Sequence, residues 1–271
     1  MNEKMWSGRF REPLDPAFDR WQRSFSFDRR LVPDEVAASR AWASALAGAG
    51  IFTAEESKAV RDVLTLIEEK ATSSPEWLDS VDAEDVHHFV ELQLVAIVGD
   101  IGYKLHAGRS RNEQIATDLR LFVRRSLDQI RREIASFVEA LVAQAEAHPS
   151  AAMPSYTHLQ RAEPVLLAHW LLAYAEMFLR DAERLSDCRR RVNVLPLGSG
   201  AIAGPGIVLD RFALARELGF DAITANSMDA TSDRDFALEY LHTLTILAMH
   251  LSRWAEEMAL FSTVEFGFVG L

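Results

Sequence analysis

The chain has 271 residues, of which 49% are hydrophobic and 25% charged, and its formal net charge is −11. This composition is that of a globular protein with a sizeable core, and the acidic balance argues against a nucleic-acid or anionic-membrane binder because the overall field repels phosphate. The sequence contains no signal-peptide core and no run of about 18 apolar residues. Together with a single cysteine, Cys188, this predicts a cytoplasmic protein without a membrane span.

Helical periodicity dominates the sequence. Shorter helices are predicted at about 32–47, 54–70 and 83–98, and Thr53 is a suitable N-cap for the second. Between residues 112 and 147 apolar side chains recur every three or four positions, with no interrupting Gly or Pro, until Pro149 ends the pattern. Two more long helices are predicted, one after Pro164 and one at about 233–262. No alternating strand pattern is recognisable.

Helices of this length are not stable alone in water and require a bundle. We therefore predict an all-α fold with an N-terminal helical domain at 1–111 and a central long-helix bundle domain at 112–271. The apolar stripes are wide enough to favour burial against several neighbours or against other subunits.

The first polar segment that interrupts the helical pattern is His106–Gln114, at the start of the long 112–147 helix. Gly108 allows close backbone approach, and either Ser110 or Asn112 can cap the helix, whose first-turn N–H groups then favour an anion. Arg109 and Arg111 supply guanidinium groups suited to carboxylates. A capped helix start with solvated arginines is the alternative interpretation.

A second polar segment, Pro154–Gln160, is predicted to be a short loop between two long helices. Thr157, His158 and Gln160 supply a hydroxyl, an imidazole and an amide within a few residues. Histidine is the side chain best suited to move protons near neutral pH. The alternative is that His158 is an ordinary surface residue.

The glycine-rich segment 195–206 is predicted to be an ordered loop. It lacks a preceding strand and a following Gly-Lys-Ser/Thr, so both common nucleotide-binding motifs are excluded by context. His87 and His88 are adjacent on a predicted helix and point about 100° apart, which is poor spacing for a common metal. No metal site and no cofactor are predicted.

Four segments in chain order, GRSRNEQIATDLRL, PSYTHLQRAEP, LPLGSGAIAG and DATSDRDFALE, resemble the argininosuccinate lyases of the fumarase/aspartase superfamily. Shorter matches at Trp6–Phe10, Ser24–Asp28 and Glu84–His87 extend the resemblance over essentially the whole chain. Each motif alone is weak evidence for the family, whereas this many motifs in the same order along the chain are specific to it.

The resemblance implies an all-α homotetramer in which several subunits build a central helical bundle and share active sites. It implies a small-molecule substrate, argininosuccinate, from which fumarate is eliminated to leave arginine. A base removes a proton next to a carboxylate, so the site must stabilise the negative charge that develops there.

The resemblance also assigns residues. Ser24 and Asn112 correspond to substrate contacts of the family, with Arg111 beside the second. Thr157 corresponds to a carboxylate-binding hydroxyl, and His158 to the catalytic histidine that protonates the leaving nitrogen directly or through its neighbours. Asp28 and His87 correspond to supporting polar residues.

One departure from the family bears on activity. The signature loop Gly-Ser-Ser-x-Met-Pro-x-Lys-x-Asn, with the serine taken as the base, is absent from the sequence. We therefore expect the chain to stop before the last bundle helices and to be inactive alone. Two alternatives stay open, namely a catalytically silent structural homologue and a sister lyase that acts on another fumarate adduct.

Overall fold

The computed structural model describes residues 15–270, and its long elements are helices, which confirms the predicted all-α class. Besides short 3-10 turns it contains the helices α1 (Pro16–Gln22), α2 (Phe25–Asp28), α3 (Val32–Gly48), α4 (Ala54–Ser73), α5 (Val86–Val98), α6 (Arg111–Ala147), α7 (Leu167–Val192), α8 (Arg211–Leu218), α9 (Ser227–Ser232) and α10 (Asp235–Phe261). Four short strands are β1 (Ala152–Thr157), β2 (Gln160–Leu166), β3 (Val194–Leu195) and β4 (Ala222–Ile223).

The chain divides into two compact units. The first runs up to Leu119 and also contains Pro196–Thr231, whereas the second contains Arg120–Leu195 and the segment from Ser232 onward. The predicted domains at 1–111 and 112–271 stay a prediction. The motif at Trp6–Phe10 lies outside the described residues.

The first unit has its core between α3, α4 and α5. Thr53 caps α4 through a complete capping box with Glu56, and the Asp85 side chain caps α5 by accepting the His88 N–H. The fully buried side chains of this core include Trp42, Leu46, Leu64, Phe89 and Leu94. Because Asp85 is the cap, α5 begins at Val86, three residues after the predicted start.

The second unit has an aromatic core between α6, α7 and α10. The Phe137 ring meets Phe178 and Trp254 edge-on, at centroid distances of 5.0 and 5.7 Å. The Trp170 ring stacks on Trp254 at 5.2 Å. Within the same unit the buried Asp181 carboxylate lies 2.6 Å from His250 Nδ1, which joins α7 to α10.

One expectation about local structure is wrong. Residues 154–160 do not form a plain loop between helices, because β1 and β2 pair as an antiparallel hairpin in which Thr157 lies opposite Gln160. The Ser155 hydroxyl stabilises the pair by donating to Glu163 O (2.7 Å) and accepting from Glu163 N–H (3.0 Å). A proline in each strand hides the alternation that would have predicted the hairpin.

None of the helices within residues 15–270 combines the length and the apolar character needed to cross a lipid bilayer. From Pro196 onward the glycine-rich segment lies in the first unit and forms neither helix nor strand up to Gly206.

The buried face of α7 gives a stability prediction. Leu185 is fully buried, whereas Leu179 on the same helix is 47% exposed. Leu185→Ala should lower the free energy of unfolding by about 2–5 kcal/mol, because it leaves a cavity in the core. Leu179→Ala, the matched control, should change it by less than about 1 kcal/mol. Urea denaturation followed by circular dichroism measures both, and equal losses would contradict the assigned packing.

Candidate active site

Ser24 and Asp28 are held against the start of α5. The Ser24 and Phe25 N–H groups both donate to the Glu84 carbonyl oxygen, at 2.9 and 3.2 Å. The Ser24 hydroxyl donates to Asp28 Oδ2, and Asp28 Oδ1 accepts the Val86 N–H at 3.1 Å. Ser24 is thereby fixed in position by backbone and side chain together.

Arg111 extends this group of polar residues. Its guanidinium donates to Asp85 Oδ1 at 3.2 Å, and Asp85 is the residue that caps α5. Burial raises the pKa of Asp28, and the negative charge of Asp85 adds to the rise, while Ser24, the Val86 amide and Arg111 oppose it. The structure therefore brings Ser24 and Arg111 into one cluster at the start of α5.

Asn112 follows Arg111 in the first turn of α6 and is exposed. Its backbone N–H lies 3.3 Å from the Ser110 hydroxyl, and the Ser110 N–H donates to Glu113 Oε1 at 3.0 Å. Of the two predicted caps it is therefore Ser110 that caps α6. Asn112 remains at the surface of the helix start, next to Arg111.

Glu113 fixes the helix start to the glycine-rich loop. Its carboxylate is fully buried, and Oε2 accepts the Gly200 N–H at 2.9 Å. Burial raises the pKa of Glu113, although the backbone N–H groups of Ser110, Gly200, Gly198 and Ser199 oppose the rise. Because the Ser110 and Gly200 N–H groups both donate to this carboxylate, Glu113 occupies a small nest of backbone donors between the helix start and the loop.

The loop is also held by Arg211. Its guanidinium donates to Leu197 O at 3.1 Å and to the Thr224 hydroxyl at 2.9 Å. Gly200 has a φ of +62°, and a Cβ there would lie 2.2 Å from Gly204 O. Only glycine fits this crossing, so the loop conformation depends on it.

Thr157 and His158 lie at the tip of the β1–β2 hairpin, and both are exposed. The tip is a two-residue turn in which His158 and Leu159 have φ values of +52° and +58°. Left-handed backbone at residues other than Gly, Asn or Asp costs about 1–3 kcal/mol each, and such strain concentrates at functional positions. His158 is therefore an exposed residue in a strained backbone conformation at the tip of the hairpin.

The five candidate residues fall in different parts of the chain. Ser24, Arg111 and Asn112 belong to the first compact unit, and Thr157 and His158 belong to the second. Ser24 and Arg111 share one hydrogen-bonded cluster, with Asn112 beside it, and Thr157 and His158 are neighbours on one turn.

Sequence reasoning missed a buried polar network around His87. His87 Nδ1 lies 2.7 Å from Glu35 Oε2 and 3.4 Å from Asp118 Oδ2. The Gln114 amide nitrogen lies 2.7 Å from both Glu35 oxygens, and the Ser39 hydroxyl donates to Glu35 at 2.6 Å. The residues come from α3, α5 and α6, so no local motif reveals them.

Glu35, His87 and Asp118 offer ligand atoms within 4.8 Å of one another, which is close enough to consider a metal ion. Two observations favour hydrogen bonds instead. The 2.7 Å between His87 and Glu35 is the length of a hydrogen bond, and the Arg109 guanidinium lies 4.0 Å from Glu35. A nearby fixed cation opposes a second one. That the protein has no metal site stays a prediction.

The network predicts a pH dependence of stability. Burial, reinforced by the charges of Glu35 and Asp34, raises the pKa of Asp118 well above its ordinary value. A carboxyl with a raised folded-state pKa stabilises the fold fully at low pH, and this contribution is lost as the pH rises through the folded pKa. Asp118→Asn mimics the protonated form, so as the pH rises above the ordinary carboxyl pKa of about 4, the wild-type chain should lose more stability than the variant.

Urea midpoints measured across this pH range test the prediction. The exposed Asp100 supplies a control, since Asp100→Asn should leave the pH dependence of the wild-type chain unchanged. Parallel pH curves for wild type and Asp118→Asn would show that Asp118 is not the buried proton carrier.

Two comparisons of sequence bear on this arrangement. The family model described as Lyase matches residues 8–271. The chain is 62% identical over 273 residues to the argininosuccinate lyase of Acidobacterium capsulatum, with 99% of this chain and 56% of that protein covered. It is 59% identical to the argininosuccinate lyase of Koribacter versatilis, with 99% and 57% covered. The chain thus spans a little over half the length of these relatives.

Two solved structures share the fold of this chain. The crystal structure of EDDS lyase in complex with formate matches with a TM-score of 0.79 at 28% identity, covering 94% of this chain and 51% of that one. The 3-carboxy-cis,cis-muconate lactonizing enzyme from Pseudomonas putida has a TM-score of 0.72 at 22% identity, covering 93% and 59%, and shows the fold alone. By its sequence match over residues 8–271, the chain belongs to the Lyase family.

Proposed function

We propose that the protein of which this chain is part or whole is an argininosuccinate lyase, which cleaves argininosuccinate into arginine and fumarate. The observation that carries the proposal is the 62% identity to a protein of that name over 99% of the chain. The ordered helix start with Arg111 and the strained turn with His158 add support from the geometry.

The reaction removes a proton from a carbon next to a carboxylate and breaks the bond to the guanidino nitrogen. Arg111 is suited to the carboxylate, because its pairing with Asp85 orients a guanidinium that has five N–H donors. Ser24 and Asn112 add a hydroxyl and an amide beside it. Removing water around these donors strengthens each contact with the developing charge.

We assign Thr157 to the binding of a substrate carboxylate and His158 to the protonation of the leaving group. The Thr157 hydroxyl donates to a substrate carboxylate, and His158 supplies the proton that the leaving guanidino nitrogen takes up. An exposed imidazole on a stiff two-residue turn can enter a substrate pocket without rearrangement of the backbone. We assign no base among the residues of this chain.

A fused enzyme tests the assignment. It joins this chain to the part of the Acidobacterium capsulatum lyase that the comparison leaves uncovered, and fumarate release is followed by ultraviolet absorbance. His158→Ala should lower kcat by about 100- to 10,000-fold, the range of a general acid. The exposed His148 is the matched control, and His148→Ala should leave kcat unchanged. Equal kcat values for wild type and His158→Ala would refute the role of His158.

The same fused enzyme separates the alternatives. Fumarate release from argininosuccinate supports the proposal, whereas release only from adenylosuccinate would identify a sister lyase. A folded protein that binds neither compound would be a silent structural homologue.

We further propose that the enzyme is a cytoplasmic homotetramer with active sites assembled from different subunits. The support is a set of large apolar side chains at the surface of α10, namely Leu238, Leu241, Met249 and Leu251, with exposures between 44% and 65%. Exposed apolar surface of this extent on one helix is typical of an interface. The lone thiol, Cys188, is buried and free, as expected in a reducing compartment.

Light scattering of the fused enzyme tests the assembly. The wild-type form should have a mass of about four subunits, and Leu241→Glu should lower it because a buried charge opposes association. Ser252→Glu places the same charge at another exposed position of α10 and is the control. A monomeric wild-type enzyme would contradict the proposed assembly.

A further inference from the structure

A groove in the first unit is independent of the residues assigned above. It has a volume of about 430 Å³ and lies between α3 and α4. Small side chains form part of its wall, and charged side chains form the rest; the full lining is Arg40, Ser44, Ala47, Ala54, Ser57, Lys58, Arg61 and Asp62. The volume is within the range of sites for small molecules.

The groove is cationic in a chain whose net charge is −11. Three of its lining residues are Arg or Lys and one is Asp. Asp62, the one carboxylate in the lining, pairs with Lys58, so neither arginine is paired with a carboxylate of the lining itself. Among residues 15–270, no carboxylate forms an ion pair with Arg40.

Both arginines also carry an unused donor. The Nε atoms of Arg40 and Arg61 are buried and have no hydrogen-bond acceptor among the described residues. A buried donor without an acceptor is unfavourable, so each of these side chains gains if it turns its guanidinium toward a ligand that supplies oxygen atoms.

Glu217 on α8 indicates which type of ligand group the groove can bind. Its Oε1 atom accepts a hydrogen bond from the Ser44 hydroxyl at 3.1 Å and lies 4.0 Å from Arg61. A carboxylate oxygen thus already contacts a hydroxyl and a guanidinium of the groove lining. Of the three lining cations, Lys58 pairs with Asp62 and Arg61 with Glu217, which leaves Arg40 as the cation paired with neither carboxylate.

We propose that the groove between α3 and α4 binds the doubly charged oxyanion of a small molecule, either a phosphate ester or a dicarboxylate. Arg40 and Arg61 bind the oxyanion through their guanidinium groups, with Ser44 as a further donor. Glu217 competes with the ligand for Ser44 and Arg61.

Calorimetric titration of the chain with inorganic phosphate, and separately with fumarate, tests the proposal at low ionic strength. Arg40→Ala should weaken binding about tenfold or more, since it removes a charge-assisted contact. Glu217→Gln should tighten binding several-fold, because it removes a competing negative charge. Arg132→Ala removes the same charge from an exposed position on α6 and should leave the affinity unchanged.

Opposite effects of the Arg40 and Glu217 variants would support the site, and the ligand that responds to both would identify its chemistry as phosphate or dicarboxylate. If Arg132→Ala weakened binding as much as Arg40→Ala, the ion would be bound adventitiously by net charge, and the proposal would be overturned. Absence of binding by both probes would overturn it as well. Circular dichroism shows whether Arg40→Ala keeps its fold. If it does not, the tighter binding expected for Glu217→Gln still tests the site.

Discussion

The contact between His87 and Glu35 is the interaction on which the first unit depends most. It joins α5 to α3 at 2.7 Å, in a region where both side chains are at least 95% buried. Gln114 and Asp118 bring α6 into the same network. A buried carboxylate without partners is strongly destabilising, so the burial of Glu35 favours the packing of the three helices that supplies its partners.

This network also fixes the helix starts that carry the proposed substrate-binding residues. His87 lies in the first turn of α5, directly after Asp85 and Val86, which hold Arg111 and Asp28. On α6, the first turn carries Arg111 outward and Gln114 inward to Glu35. A rigid helix start positions carboxylate-binding groups more accurately than a mobile loop does. The position of Arg111, the proposed carboxylate-binding residue, therefore depends on the same helix start that contributes Gln114 to the buried network.

The long helices were predictable because their apolar residues repeat at the helical period over many turns. For α6 the predicted range of 112–147 differs from the observed Arg111–Ala147 by one residue, and for α10 the range 233–262 is close to Asp235–Phe261. The first turns of α6 are an exception in packing. Ile115 is 37% exposed there, while Glu113, Gln114 and Asp118 are buried, which reverses the usual pattern.

This buried polar face explains why the network around His87 could not be predicted from the sequence. Periodicity assigns polar side chains to solvent, so a buried polar face is read as an exposed one. Glu35, His87 and Asp118 come together only through the packing of three helices. The hairpin was missed for a local reason, since His158 and Leu159 are unusual residues for a turn with two positive φ values. Arg111 and His158 themselves were recognisable from the chemistry of their polar segments, and the family motifs then gave each a specific role.

The central claim is that the helix start at Arg111 binds a carboxylate of argininosuccinate. Calorimetric titration of argininosuccinate into the fused enzyme carrying Arg111→Lys, with the exposed Arg132→Lys as control, tests it most directly. Lysine keeps the charge and loses the paired donors, so the account predicts binding weakened about tenfold in the first variant only. Equal affinities in wild type and Arg111→Lys would contradict it.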